Sequence, residues 1–297
     1  MKISISERVM TRYTTYEKIF PLLAECGFDC VDYSLTGHNE QRDSFFQRLC
    51  KHKAIAEACG LQFGQAHGPY PYFVKEGLFP DCQFYNESQI MAIEGAKYLS
   101  IPYLVMHPCV IDGGTEKGRK DLLTANMNLF SSLIPVLKNS GVTVCIENCY
   151  CEGTDTYGDP CTIPTCGSSP EELIYLIDSL NDRAGREIFG SCLDTGHCHC
   201  SGGDEIEMVR KLGKRIKALH LHDNDGRTDY HLPPFSIPHG VPWEKLMREL
   251  SAVGYEGSLN LELETEAVMG RTPELTKTVL CLAHEIGIQL EKMFGGN

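Results

Sequence analysis

The sequence predicts an α/β protein folded as one (β/α)8 barrel, the TIM-barrel architecture, over residues 1–297. Two observations predict it. Apolar, β-prone runs alternate with helix-periodic stretches eight times, and no linker-like change of composition interrupts the series. Polar residues also gather where the apolar runs end. Glu147 and Asn148 close VTVCIEN, Asp194 and His197 close IFGSCLDTGH, His220, His222 and Asp223 close IKALHLHD, and Glu262 and Glu264 close SLNLELE. Each costs roughly several kcal/mol to bury unpaired, so stability alone does not account for them. In a barrel, functional groups sit at the C-terminal strand ends. A doubly wound open sheet is the competing architecture.

Taken in order, KISIS (Lys2–Ser6) reads as the first strand. Tyr16, Ile19, Phe20, Leu22 and Leu23 share one helical face within a helix expected over Thr14–Cys26, with Gly27 as its stop. FDCVDYSL is the second strand, and Ser44–Cys59 the second helix, stopped by Gly60. LQFGQAHG, a helix over Ser88–Leu99, YLVMH and a long helix near Arg119–Asn139 follow. The fifth strand, Val142–Asn148, runs into a loop rich in Gly, Pro, Thr and Cys. Ser169 is the expected N-cap of PEELIYLIDSL, and Pro170 its first residue. The sixth strand, a short helix over Asp204–Leu212, the seventh strand, a helix over Trp243–Val253, the eighth strand (Ser258–Glu264) and a closing helix (Pro273–Met293) complete the series.

The 42% hydrophobic content suffices for a large core. Twenty-seven basic residues against 40 acidic ones give a net charge of −13, which argues against a nucleic-acid groove or an anionic membrane as main partner. MKISISERVM lacks the apolar core of a signal peptide, and no apolar run is long enough to span a bilayer, so a cytoplasmic location is expected. Fifteen cysteines without a secretion signal then read as reduced thiols.

The strand ends together offer His67, His107, Glu147, Asp194, His197, His222 and Glu262, and the loop after the seventh strand adds Asp229 and His231. These are imidazoles and carboxylates without a thiolate among them. Such a donor set suits Zn²⁺, Mn²⁺, Co²⁺ or Fe²⁺. A lone histidine would read as structural; the joint pattern reads as a divalent metal site. Strand alternation puts His220 and His222 on one side, and likewise Glu262 and Glu264. The position nearer the strand end favours His222, and the spacing from Gly257 favours Glu262.

The motifs HGPY, IEN, LDTGH, HLHDNDG, DYHLPP and GYEGSLNLELE, spanning Ala66–Glu264, resemble those of the xylose-isomerase-like TIM-barrel superfamily. It holds sugar and sugar-phosphate isomerases and epimerases, and the endonuclease IV type of AP endonuclease. The resemblance implies one divalent ion on Glu147, Asp194, His222 and Glu262, with Mn²⁺ or Zn²⁺ ahead of Co²⁺, Mg²⁺ or Fe²⁺. It implies Glu147 and Glu262 as an acid/base pair, His197 as a hydrogen-bond partner of the substrate, and His67, His107, Asp229 and His231 as further substrate contacts. The expected partner is a small carbohydrate, with no nucleic acid; homo-oligomers are common in the superfamily. The implied reaction is isomerisation or epimerisation of a sugar, a sugar phosphate or a related polyhydroxy carbonyl compound. Removing a proton next to a carbonyl needs charge stabilisation and a positioned base.

Two alternatives stand beside it. One is a metal-dependent dehydratase or lyase of a carbohydrate-like substrate. The other is a trinuclear zinc AP endonuclease, because His67, His107, His197, Asp229 and His231 fall where that branch holds its other two ions. Cys149, Cys151, Cys161 and Cys166 lack CxxC spacing and read as part of a covering loop. Cys198, His199 and Cys200 read as packing. DGGTEKGRK lacks the Lys-Ser/Thr ending of a P-loop. His38, His52 and His284 read as structural or surface residues, and His239 has no assigned role.

Overall fold

Parallel strands cannot be joined by tight turns, so a chain with this alternation must cross back through a helix after each strand. The computed structural model shows this pattern over residues 1–296, apart from 9, 37–39, 71–81, 110–115, 155–159, 166 and 265–270, which lie outside the described residues. The first half runs β1 (Ile3–Ser6), α1 (Tyr16–Glu25), β2 (Cys30–Ser34), α2 (Arg42–Cys59), β3 (Gln62–His67), α3 (Cys82–Tyr98), β4 (Tyr103–Met106), α4 (Glu116–Leu137) and β5 (Thr143–Glu147). A hairpin of β6 (Tyr150–Thr154) and β7 (Pro160–Pro164) follows. The second half runs α5 (Pro170–Ala184), β8 (Phe189–Asp194), α6 (Thr195–Cys200), α7 (Glu205–Leu212), β9 (Ile216–His220), α8 (Trp243–Ala252), β10 (Leu259–Leu261) and α9 (Pro273–Phe294).

Eight strands form one parallel sheet in the order β10-β1-β2-β3-β4-β5-β8-β9. The last seam closes through a parallel bridge between Leu221 and Leu261, with Leu221 N–H donating to Asn260 O (2.9 Å) and Glu262 N–H to Leu221 O (3.2 Å). The (β/α)8 barrel is therefore present. β8 is buried at every position, because the barrel interior covers one face and helices the other. Helix α5 packs through Leu173, Leu176, Ile177 and Leu180, an i, i+3, i+4, i+7 stripe. Its N-terminus follows the expected chemistry, and a glycine ends it. Ser169 Oγ accepts from Glu172 N–H (3.3 Å), and Gly185 closes the helix at φ 69°.

Three local features depart from the sequence reading. The loop after β5 carries the antiparallel hairpin β6–β7. Helix α6 starts directly on Asp194. Regular pairing in β9 stops at His220 and in β10 at Leu261, so His222 and Glu262 stand just beyond their strands. No helix among the described residues is long and apolar enough to cross a membrane.

Candidate metal centre

The C-terminal mouth of the barrel is assembled by strand termination. Asp194 ends β8 and also caps α6, accepting from His197 N–H at 2.6 Å. One turn of helix then fixes the offset between Asp194 and the His197 ring. The Asn148 side chain clamps the Asp194 backbone on both sides, donating to its carbonyl (2.8 Å) and accepting from its N–H (2.8 Å). Thr195 Oγ1 bonds the backbone of His222 at 2.8 and 3.0 Å, tying β8 to the segment after β9. Gly196 leaves room for the His222 ring: a Cβ there would lie 1.9 Å from His222 Cε1. The D-T-G-H sequence thus sets one candidate donor directly and seats another by leaving a side chain out.

Three groups of donors result, each with its ligand atoms within 4.8 Å of one another. The central group is Glu147, Asp194, His220 and Glu262. His220 Nδ1 lies 3.0 Å from Glu147 Oε1, 3.0 Å from Glu262 Oε2 and 3.7 Å from Asp194 Oδ2. A second group joins His67 Nε2 (3.5 Å) and His107 Nε2 (3.0 Å) to the other Glu147 oxygen, Oε2. The third is His197, His222, Asp229 and His231. There Asp229 Oδ2 meets His231 Nε2 at 2.9 Å, His197 Nε2 at 3.2 Å and the Tyr150 hydroxyl at 3.2 Å. His222 connects the third group to the central one, with Nε2 2.9 Å from Asp194 Oδ1. Its ring stacks on His231 at 3.9 Å between centroids.

The electrostatics call for positive charge. Four carboxylates, Glu147, Asp194, Asp229 and Glu262, converge where water is largely excluded. Burial alone would raise the Glu147 pKa, but His220 and His107 hold it well below the usual range. Glu262 and Asp229 are also held low against burial, by His220 and His197 respectively. Burial pulls the histidines down, and their acidic neighbours outweigh it. His107 is raised to about 10 by Cys149 and Glu147, and His231 to about 9 by Asp229 and Glu262. His220 and His197 are likewise raised. Without metal, protons are the counter-ions of this centre.

The donors also fit a divalent cation. Glu147 Oε2, His222 Nδ1 and Asp229 Oδ1 are buried and make no hydrogen bond, which is costly unless another partner serves them. His220 is oriented from behind. Its Nε2 lies 3.1 Å from Asp32 Oδ2, which also accepts from Gln65 Nε2 (3.1 Å) and Asn260 Nδ2 (3.1 Å). If Nε2 carries the proton, the bare Nδ1 faces two carboxylate oxygens at 3.0 Å, an arrangement that a cation between them relieves. Imidazole and carboxylate donors suit Zn²⁺, Mn²⁺ and similar ions.

Above the centre lies a cavity of about 240 Å³, lined by Arg8, Tyr70, His107, Glu147, Tyr150 and Glu262 among others. This is below the ~300–1,000 Å³ of pockets for drug-sized ligands, so among the described residues the space suits a small molecule.

The mouth brings together His67, His107, Glu147, Asp194, His197, His222, Asp229, His231 and Glu262, and adds His220 to them. Beside the expected Glu147, Asp194 and Glu262 the imidazole of the same group is His220, while the expected His222 falls in the third group with its Nε2 2.9 Å from Asp194 Oδ1. Both side chains lie on one side of the chain, but the side chain level with Glu147 is the one still inside β9. His222, two residues further on, reaches the third group. His197 also differs in detail: Nδ1 faces Asn148 O at 2.9 Å and Nε2 faces Asp229, so both ring nitrogens have protein partners. Asp32 was missed, although an acid within FDCVDYSL breaks the apolar run and was a readable signal. Arg8 and Tyr70 were also missed. Asp223 is structural, accepting from Val241 N–H (3.1 Å) and Trp243 Nε1 (3.3 Å). His52 bonds Tyr33 (2.6 Å) and His199 bonds Glu205 (2.7 Å). Cys149 and Cys151 are buried, while His38 and Cys166 lie outside the described residues.

Comparison with known proteins agrees with this architecture. The model of the family described as xylose isomerase-like TIM barrel matches residues 20–282. An uncharacterised protein of Methanocaldococcus jannaschii is 24% identical over 205 residues, 68% of this chain and 64% of that protein. A protein of Mycoplasmopsis synoviae named probable endonuclease 4 is 28% identical over 171 residues, 54% of each. The chain thus spans less than two thirds of the length of these curated relatives. A solved structure of a D-tagatose 3-epimerase-like protein superposes with a TM-score of 0.74 at 21% identity, covering 100% of this chain and 99% of that one. At this identity the likeness is one of fold.

Proposed function

The chain belongs to the xylose isomerase-like TIM barrel family, and on that premise we propose that it is a metal-dependent isomerase or epimerase of a small sugar, sugar phosphate or related polyhydroxy carbonyl compound. One observation carries the reading. Glu147 and Glu262 approach His220 Nδ1 at 3.0 Å each, and the second Glu147 oxygen, Oε2, stands beside the cavity with His107 Nε2 at 3.0 Å.

Glu147, Asp194, His220 and Glu262 would hold a divalent ion, most simply Mn²⁺ or Zn²⁺. When bound, such an ion supplies Lewis-acid stabilisation of negative charge on a carbonyl oxygen and its neighbouring hydroxyl. Glu147 Oε2 takes the proton from the carbon next to the carbonyl, and His107 at 3.0 Å keeps that oxygen ionised beforehand. Glu262, the other carboxylate of the pair, would take up a proton from solvent and deliver it to that carbon. Tyr150 and His107 line the space and offer hydrogen bonds to hydroxyl groups, and Arg8 offers a charge for an acidic substituent. Solved structures with this fold include a D-psicose 3-epimerase with D-tagatose, at 15% identity and a TM-score of 0.69.

A second reading, a multi-ion hydrolase of phosphate esters, is favoured by one specific observation: the two outer donor groups, His67, His107 and Glu147 on one side and His197, His222, Asp229 and His231 on the other. The net charge of −13 favours a small ester over DNA. The experiment is incubation of the metal-loaded protein with ketoses, ketose phosphates and inososes in D₂O. Deuterium should enter the carbon next to the carbonyl, and Glu147→Gln or Glu262→Gln should cut activity at least about 100-fold. Net loss of water or a broken C–C bond would replace the reading with a dehydratase or lyase. Three bound ions with phosphate-ester cleavage and no sugar turnover would replace it with the hydrolase.

A further inference from the structure

Away from the mouth, α1 and α9, the first and last helices of the barrel, meet through an unusual contact. Cys281 Sγ lies 2.9 Å from Cys26 Sγ, although the two residues are 255 positions apart. Cys26 is the C-cap of α1 and is 7% exposed, while Cys281 on α9 is half-buried. The surrounding contacts hold the two segments in register. Lys277 pairs with Glu25, Phe28 packs edge-on against His284 at 5.3 Å, and the His284 ring fills the space over Gly27. Thiols at ordinary van der Waals contact stand further apart than this, so the two sulfurs already face one another.

We propose that Cys26 and Cys281 are a reversible disulfide site, oxidised by small-molecule disulfides such as oxidised glutathione, which staples the first βα unit to the last. Cys281 is the entry point because it is the less buried of the two residues. Its thiolate attacks the glutathione disulfide; that S–S bond breaks, and one glutathione thiolate leaves. The Cys26 thiol then gives up its proton and attacks the Cys281 sulfur, expelling the second glutathione. In balance, two protein thiols and one oxidised glutathione become one protein disulfide and two reduced glutathiones. Burial, and the neighbouring Cys281 thiol, push the Cys26 thiol up to about 12, which assigns it the second, intramolecular step. The bond would close a loop of nearly the whole chain, where cross-linking restricts the unfolded state most.

The test is peptide mapping of the full chain after incubation with oxidised glutathione, without reductant. Tryptic peptide 19–42 should be linked to peptide 278–292, which carries Cys281. Because peptide 19–42 also contains Cys30, the link must survive in Cys30→Ser and vanish in Cys26→Ser. The oxidised wild type should melt several degrees higher than the reduced form, and Cys281→Ala should show no such rise. A stable glutathione adduct on Cys281 without the cross-link, or a link through Cys30, would overturn the proposal. So would an unmodified pair after other exposed thiols have reacted.

Discussion

Replacing Asp32 tests whether His220 is the imidazole of the central group. Asp32 Oδ2 accepts from His220, Gln65 and Asn260, each at 3.1 Å, while its Oδ1 has no partner. Asn keeps a carbonyl oxygen for the three donors and removes the negative charge behind His220, while its NH₂ at the Oδ1 position becomes a buried donor without a partner, so the metal-free protein should also lose about 1–3 kcal/mol of stability. Removing such a carboxylate partner weakens metal binding about 10–100-fold, or about 1.4–2.7 kcal/mol. Asp32→Ala should lose more and also destabilise the fold, since Gln65, Asn260 and His220 are left facing a void; each buried donor left unpaired costs about 1–3 kcal/mol. The assay is Zn²⁺ or Mn²⁺ affinity by competition with a chelator, beside thermal unfolding of the metal-free proteins. His220→Ala should abolish the tightest ion, and His222→Ala should retain it. Unchanged affinity in Asp32→Asn, or loss of the tightest ion in His222→Ala alone, would refute the placement of His220.

Gly196→Ala drives a methyl group into the His222 ring, 1.9 Å from Cε1, and should cost about 1–3 kcal/mol of stability as overpacking; a melting temperature equal to wild type would contradict that contact. Metal-free protein should lose stability as pH rises. His231 and His107, raised to about 9 and about 10, contribute fully below their unfolded value of 6.5, and the contribution disappears as pH passes through 9 to 10. With metal present the trend over pH 5 to 8 should reverse, because ions compete with those protons; melting curves with and without chelator read both, and His107→Gln should flatten the metal-free slope. Arg8 is the one guanidinium lining the cavity among the described residues, so Arg8→Ala should raise KM for acidic substrates at least about 10-fold while sparing neutral ones; equal effects on both would assign Arg8 to scaffold alone.

What the sequence determined by itself was set by short-range chemistry. The alternation of apolar runs with helical periodicity, Ser169 and Pro170 at a helix start, and Gly60 at a helix end each act within a few residues. So does the termination of β5 and β8 on Glu147 and Asp194, which is why the barrel and most of its mouth were legible. The choice between His220 and His222 was not. Two residues on one side of a strand differ mainly in height, about 6.6 Å at 3.3 Å per residue. Height relative to Glu147 depends on the stagger of β9 against β8 and on where the Leu221–Leu261 seam closes. Asp32 needed the same knowledge, since its role exists only because β2, β3, β9 and β10 turn their side chains into one interior. Cys26 and Cys281 look like ordinary core residues in their own helices; only closure of the ring brings their sulfurs together. Local sequence sets which groups end each strand, and packing of the closed sheet decides which of them meet.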